Sequence, residues 1–244
     1  MKNQRLLFSS ILFILVLMWS ENKVHAYVGD QDYDFTWLDP EKKIYVLQNR
    51  RYRKGKKLEF AIGPLDVRLN NTLVSAFGAT GRLTWYPNEE WGVEALYKYK
   101  FNRKSGAAEH FENETGFRGL PRQTNWYGAL ELLWVPFYSK INTFNHIFYI
   151  DLGGGAGPAW IETEADRNLF KGVVQANSIE VESTYGALVT VFIKFYFNEH
   201  FGLRHDINWL NYRALQVTPI NSKSARSYEW WQDWDYNLSF TVLF

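Results

Sequence analysis

The chain has 244 residues, 27 Lys and Arg against 26 Asp and Glu for a net charge of +1, 18% aromatic residues and no cysteine. So even a balance offers no electrostatic footprint for nucleic acid. The missing thiol excludes disulfides, cysteine-ligated metal, cysteine nucleophiles and a lipid-bearing N-terminal cysteine. A negative mean hydropathy beside so many rings means that apolar groups are interleaved with polar ones, not pooled in blocks.

The one long apolar run, residues 6–19, follows Lys2 and Arg5 and precedes Val24-His25-Ala26. A positive start, a short apolar stretch and a small residue predict a secretory signal peptide over residues 1–26, cut after Ala26, with His25 making the site slightly irregular. An uncleaved anchor is the alternative, although the run falls short of the ~20 residues a membrane helix needs. No later stretch could span as a helix, so any membrane role after export must use strands closed into a barrel. Residues 27–57 differ in composition, with Asp30, Asp32 and Asp34 early, Ile44-Tyr45-Val46-Leu47 in the middle, and Arg50, Arg51, Arg53, Lys54, Lys56 and Lys57 late. We read them as a periplasmic lead-in whose basic end is a solvated flank, with contact to anionic head groups or a partner protein as the functional alternative.

From residue 58 to 244 eight segments alternate at a period of two: 58–68, 73–86, 91–101, 125–137, 146–161, 184–197, 201–212 and 234–244. Each is long enough, at ~9–11 residues, to cross a bilayer when tilted. The third is the plainest, with Trp91, Val93, Ala95, Tyr97, Tyr99 and Phe101 opposing Glu94, Lys98 and Lys100. Connections after segments two, four and six are short (87–90, 138–145, 198–200). Those after three, five and seven are long and polar (102–124, 162–183, 213–232), and the first hairpin turns at Asn70-Asn71. Short turns on one rim and long loops on the other predict an outer-membrane barrel with the loops outside.

The last segment places Tyr236, Leu238, Phe240, Val242 and Phe244 on one face and ends on the Phe244 carboxylate, the pattern expected of a membrane-insertion signal. In water such a terminal strand would invite aggregation. Alternation alone also fits a soluble barrel of the lipocalin kind, with the apolar face turned inward around a ligand. The loop asymmetry, the terminal aromatic and two clusters of rings near the strand ends favour the membrane arrangement. The fold class expected is therefore all-β, an eight-stranded antiparallel up-and-down transmembrane barrel with a short N-terminal extramembrane segment.

Several stretches carry a family likeness: Tyr45-Val46-Leu47-Gln48-Asn49-Arg50-Arg51-Tyr52-Arg53-Lys54 before the first strand, Trp126-Tyr127-Gly128, Trp134-Val135-Pro136-Phe137-Tyr138-Ser139-Lys140, and Gly153-Gly154-Gly155-Ala156-Gly157. In these the chain resembles the outer-membrane β-barrel proteins of myxobacteria and their predatory relatives. The resemblance implies an eight-stranded barrel in a Gram-negative outer membrane and assigns no chemistry.

Parity places Glu59, Arg82, Glu94, Lys98, Lys100, Glu131, Asp151, Lys194, Arg204, Asp206, Asp233 and Asp235 inside. An eight-stranded lumen is just wide enough for side chains to fill it, and mixed charges there predict a salt-bridged core that fixes register. A narrow ion or proton path is the sharper alternative. No catalytic constellation stands out. His205 falls on the lipid-facing parity with no serine placed beside it, Ser75 and Ser239 lying elsewhere, which weighs against a lipid-A-modifying enzyme. His110, His146 and His200 lack metal spacing, and the acids Glu162, Glu164 and Asp166 read as a solvated run, with divalent-ion binding as the alternative. The Gly153–Gly157 stretch fits a bend, or room for bulky lumen neighbours, and not a phosphate loop. The expectation is a non-enzymatic envelope protein with no cofactor or metal. Its expected partners are outer-membrane lipid and lipopolysaccharide, the barrel-assembly machinery during insertion, and an envelope or surface protein met through the long loops. The loop residues Phe111, Phe117, Leu169, Phe170, Val173 and Val174 are more apolar than solvated loops require.

Overall fold

Residues 51–119, 122–143, 146–168, 178–219 and 227–244 are described by the computed structural model. The signal-peptide reading, most of the lead-in, and Leu169, Phe170, Val173 and Val174 lie outside the described residues. Eight strands follow one another: β1 (Lys57–Arg68), β2 (Val74–Tyr86), β3 (Trp91–Lys104), β4 (Arg122–Thr143), β5 (His146–Asp166), β6 (Ile179–Tyr196), β7 (Phe201–Leu215) and β8 (Tyr228–Leu243). Each pairs antiparallel with the next, and β1 pairs with β8 from Glu59↔Leu243 to Arg68↔Asp235, which closes the barrel.

The two faces of each strand settle the orientation. Val191 is 55% exposed and Phe240 57%, whereas Lys194 is 2% exposed and Arg204 0%. The apolar groups point away from the axis and the ionised groups toward it, the reverse of a soluble carrier. Outward rings form a ladder toward the long-loop rim, Tyr97–Trp126–Trp160–Tyr185, with centroids 5.7–6.3 Å apart, joined at that level by the Trp209–Trp234 stack. Trp91 stacks on Trp134 nearer the other rim, where Phe197, Phe201 and Phe244 are also exposed. These are the two aromatic belts of a membrane barrel.

Three details differ from the sequence reading. Residues 138–143, expected as a turn, continue β4, and pairing runs on to Thr143↔His146, so the β4–β5 hairpin is the longest of the barrel. Once an antiparallel ladder is established, polar side chains such as Ser139, Lys140 and Asn142 extend it without needing a lipid face. The strands also run past the expected starts of all three long loops, into residues 102–104, 162–166 and 213–215. Inside the first of those loops lies a helix, α1 (Gly106–Thr115), in place of irregular chain. Ser105 accepts from the Ala108 amide at its start, and Gly116, at φ 70°, turns its N–H back to the Glu112 carbonyl at its end. Its Lys104–Glu112 pair, at 2.8 Å, holds it to the top of β3.

Bulges re-aim the strands. Register shifts by one residue on β1 between Gly63 and Asp66, and on β4 between Trp134 and Phe137. Pro64 and Pro136 sit at these places, where a residue without an N–H costs the ladder least. The inward glycines of β5 make room. A Cβ on Gly153 would meet the Phe192 ring at 2.9 Å, and one on Gly155 the Leu133 side chain at 2.4 Å. At Gly157 the neighbour is the Leu130 carbonyl itself, 1.8 Å from an added Cβ, and backbone cannot step aside as a side chain can. Gly157→Ala is expected to destabilise the barrel by about 1–3 kcal/mol, while Gly81→Ala, with open space around it, leaves the urea unfolding midpoint nearly unchanged.

Candidate functional site

The twelve charged residues expected inside all face inward and are between 0 and 6% exposed. They fall into layers along the axis. In the middle, Arg204 spans Glu94 at 2.6 Å and Asp206 at 2.7 Å, while Arg82 bridges the same two acids from the other side of the lumen. Thr84 donates to Glu94 at 2.7 Å, and Thr190 links Glu131 (2.7 Å) to Asn208 (3.0 Å). Glu94 and Glu131 face each other across the β3–β4 ladder.

Toward the long-loop rim, Lys98 meets Asp66 at 3.0 Å, Lys100 meets Asp235 at 2.5 Å with the Tyr127 hydroxyl also on Asp235, and Arg68 meets Asp233 at 3.2 Å. Above them Arg122 reaches Glu182 at 3.0 Å and the Leu215 carbonyl at 2.6 Å, under the Trp231 ring. Toward the other rim, Lys194 pairs with Glu59. Buried charges are tolerated when paired and hydrogen-bonded in this manner.

The lead-in supplies the lowest pair. Lys54, expected in a solvated basic flank, is 1% exposed, and its Nζ lies 2.6 Å from Asp151, which also accepts from Tyr196 at 2.7 Å. Tyr52 packs against Tyr149 and Tyr196, and the Lys54 and Gly55 amides donate to Glu89. The short-turn end of the barrel thus carries a strap of residues 51–56. A lysine just ahead of a strand can reach into the lumen along its own stem, so a run of basic residues does not by itself imply solvation.

Sequence parity missed Asp66 and Arg68 because a bulge inverts it, and Arg122 lay in the stretch 102–124 expected as loop. Glu59 and Ala61 point inward at odd numbers, but beyond the Pro64 bulge Asp66 and Arg68 do so at even ones. The shift between Thr124 and Trp126 turns Arg122 inward likewise. The proline was the available signal for the first, and nothing so plain marks the second. Apolar groups share the interior too. Tyr86, Leu133, Val135, Phe192 and Leu243 cluster on one side, and Leu96, Ile161, Leu188 and Leu210 with their neighbours on another. Leu243, the one break in the closing strand's alternation, belongs to the first cluster. Of the proposed insertion residues, Phe240 and Phe244 are exposed, and Tyr236, Leu238 and Val242 are half-buried on the same outward face.

His205 faces outward, its Nδ1 2.6 Å from the Tyr236 hydroxyl and its ring edge-on to Phe195. Ser239 is buried in the lumen and bonds to Asn237, and Ser75 is exposed on β2, so neither is brought to His205. His110 is on α1, and His200 sits in the β6–β7 turn with Nδ1 3.0 Å from the Leu243 carbonyl.

On the outer wall the β3–β4 ladder stops at Tyr99↔Trp126, although β3 stays paired to β2 up to Lys104 and β4 to β5 from Arg122. Above that point Asn102 bridges the two, through Nδ2 to the Thr124 carbonyl at 3.0 Å and to Asn125 Oδ1 at 3.3 Å. A cleft of about 790 Å³ occupies the gap.

A closed ring of eight antiparallel strands, greasy outside and ion-paired inside, with an aromatic belt toward each rim, defines a small transmembrane β-barrel of the outer-membrane class. In solved structures the chain is similar to the N-terminal β-barrel domain of Pseudomonas aeruginosa OprF (10% identity, TM-score 0.44, covering 78% of this chain and 98% of that one). It is also similar to the outer membrane protein OprG of the same organism (13%, 0.46, 80% and 99%) and to the attachment invasion locus protein Ail of Yersinia pestis (10%, 0.41, 78% and 99%). At these values the likeness concerns the barrel and reaches no further. No protein-family model matches the chain, and no curated protein matches it in sequence.

Proposed function

We propose that this chain is a non-enzymatic structural and docking barrel of the outer membrane, of the kind found in myxobacteria and their relatives, with a closed lumen and its long loops outside the cell. The observation that carries the closed lumen is the stack of ion pairs from Arg122–Glu182 through Arg204–Glu94 to Lys54–Asp151, which uses the strap as its lowest layer. The two apolar clusters occupy interior space between these layers. Side chains held in this way resist the water column that conduction requires, so the lumen fixes the register of the wall and does not transport.

Contact with partners then belongs to the long-loop rim. There α1 presents Phe111, 44% exposed, and Phe117 follows it at 45%. Exposed rings on a capped helix are costly in water and suit an envelope or surface protein. Lipopolysaccharide surrounds the outward face, and the closing strand with Phe244 is the segment offered to the assembly machinery. In planar bilayers the purified chain is expected to give a silent trace, and steady conductance steps would replace the closed-lumen reading with a narrow channel. Crosslinking in isolated outer membranes is expected to capture a protein partner that Phe111→Ser with Phe117→Ser releases. Retention of that partner by the double variant would remove the rim from the proposal.

A further inference from the structure

The cleft between the tops of β3 and β4 has a chemistry of its own. Its walls combine outward rings, Tyr99, Phe101 and Trp126, with hydrogen-bonding groups, Gln123 and Glu162, and one cation at the mouth, Arg103. Tyr99 is 45% exposed and Phe101 55%. Its size, about 790 Å³, is that of a small-ligand site. It lies on the outer face of the wall, level with the ladder Tyr97–Trp126–Trp160–Tyr185 that marks the membrane boundary on the long-loop side. An occupant there sits level with the lipid head groups.

The gap is built, not frayed. Asn125 occupies the β4 bulge, and its amide is held by Glu164 at 3.2 Å, as is that of Gln123 at 3.3 Å. Asn102 thus ties β3 to β4 across the notch, while Glu164 on β5 fixes the β4 side of it. Flat rings take the C–H faces of a pyranose, while amides and carboxylates take its neighbouring hydroxyls. A guanidinium at the mouth takes an anionic substituent such as phosphate. An acyl chain would leave Gln123 and Glu162 unserved, and a bare phosphate would be repelled by Glu162 and Glu164.

We propose that this cleft binds the sugar head group of an outer-leaflet glycolipid. The proposal rests on the functional reading above only for its orientation, with the long-loop rim outward. The cleft gives the barrel a lateral recognition site independent of the loop tips, with Tyr99 as the stacking ring, Phe101 set edge-on to it at 74° as an apolar side wall, and Glu162 as the hydroxyl acceptor.

The test uses the full chain in detergent with three probes: a lipooligosaccharide, the oligosaccharide released from it without its acyl chains, and phosphatidylglycerol. Quenching of tryptophan emission and native mass spectrometry report binding. Both sugar-bearing probes are expected to bind at least about tenfold more tightly than phosphatidylglycerol, and Tyr99→Ala and Glu162→Gln should each weaken oligosaccharide binding about tenfold. Heat-modifiable gel migration checks that each variant is folded. Should Tyr99→Ala not fold, the isosteric Glu162→Gln decides alone. Equal binding of phosphatidylglycerol, or folded variants that hold the oligosaccharide as the parent does, would overturn the site. Trypsin cleavage beside α1 in intact cells tests the orientation separately. Protection there would remove the outer-leaflet occupant, whereas failure of binding in detergent would remove the site and leave the orientation standing.

Discussion

Arg204→Met is expected to lower the unfolding free energy of the barrel by about 3–5 kcal/mol, the cost of breaking a buried ion pair from one side. Arg204 is fully buried, contacts Glu94 at 2.6 Å and Asp206 at 2.7 Å, and lies 4.0 Å over the Phe192 ring. Methionine replaces the packing on Phe192 but leaves two carboxylates to be shared by Arg82, whose approach to Asp206 is only 3.4 Å. The measurement is urea unfolding in detergent micelles, read as a fall in midpoint at constant slope. Adding Glu94→Gln to Arg204→Met removes one of the orphaned charges, so the double variant should lose less than the two singles summed, by roughly 0.5–3 kcal/mol of coupling. Strict additivity would show that the four groups do not act as one cluster.

Val191→Lys is the second large effect, and its size reports the solvent outside the barrel. Val191 points outward on β6, midway between Tyr185 in one aromatic belt and Phe197 in the other. A lysine there sits near the bilayer midplane and is expected to cost about 2–4 kcal/mol, whereas Tyr185→Lys, at the interface, costs about 0–1. In water an outward lysine costs almost nothing at either depth. Measured on chains folded into lipid vesicles, equal and small losses at both positions would contradict a membrane-facing wall.

The strands were legible because lipid on one side and a charged lumen on the other enforce a strict two-residue period. Trp91 to Phe101 shows this without interruption, and its partner strands could be placed from their own alternation. Reading failed where backbone chemistry interrupts the period. Pro64 inserts one residue and carries Asp66 and Arg68 to the inside, which counting from Glu59 does not reveal. Helix α1 was written locally, in Ser105 before it and Gly116 after it, but nine polar and small residues around a single ring, Phe111, with no apolar stripe look like loop until the caps are weighed. Lys54 is the hardest case. Its acidic partner, Asp151, lies 97 residues away, so the pair exists only through the closure of the ring. The cleft by Asn125 was equally hidden, since an unpaired stretch of two strands is a property of register and not of any one residue.

The ring topology has a consequence for how the molecule comes together. Every ladder but one joins strands adjacent along the chain, so hairpins can add in order, each paying the closure entropy of one local loop, which grows only slowly with its length. The exception is β1 with β8, where Leu58 meets Phe244 across nearly the whole chain. That join closes the largest loop of the barrel and is expected to form last, hiding both free edges at once. Until then the growing ribbon exposes two unpaired backbones to the acyl chains, a state too costly to persist. In the finished cylinder the membrane-spanning part of every strand is paired on both sides, and only the tops of β3 and β4 part. Its lifetime is accordingly governed by the rate at which this single seam reopens.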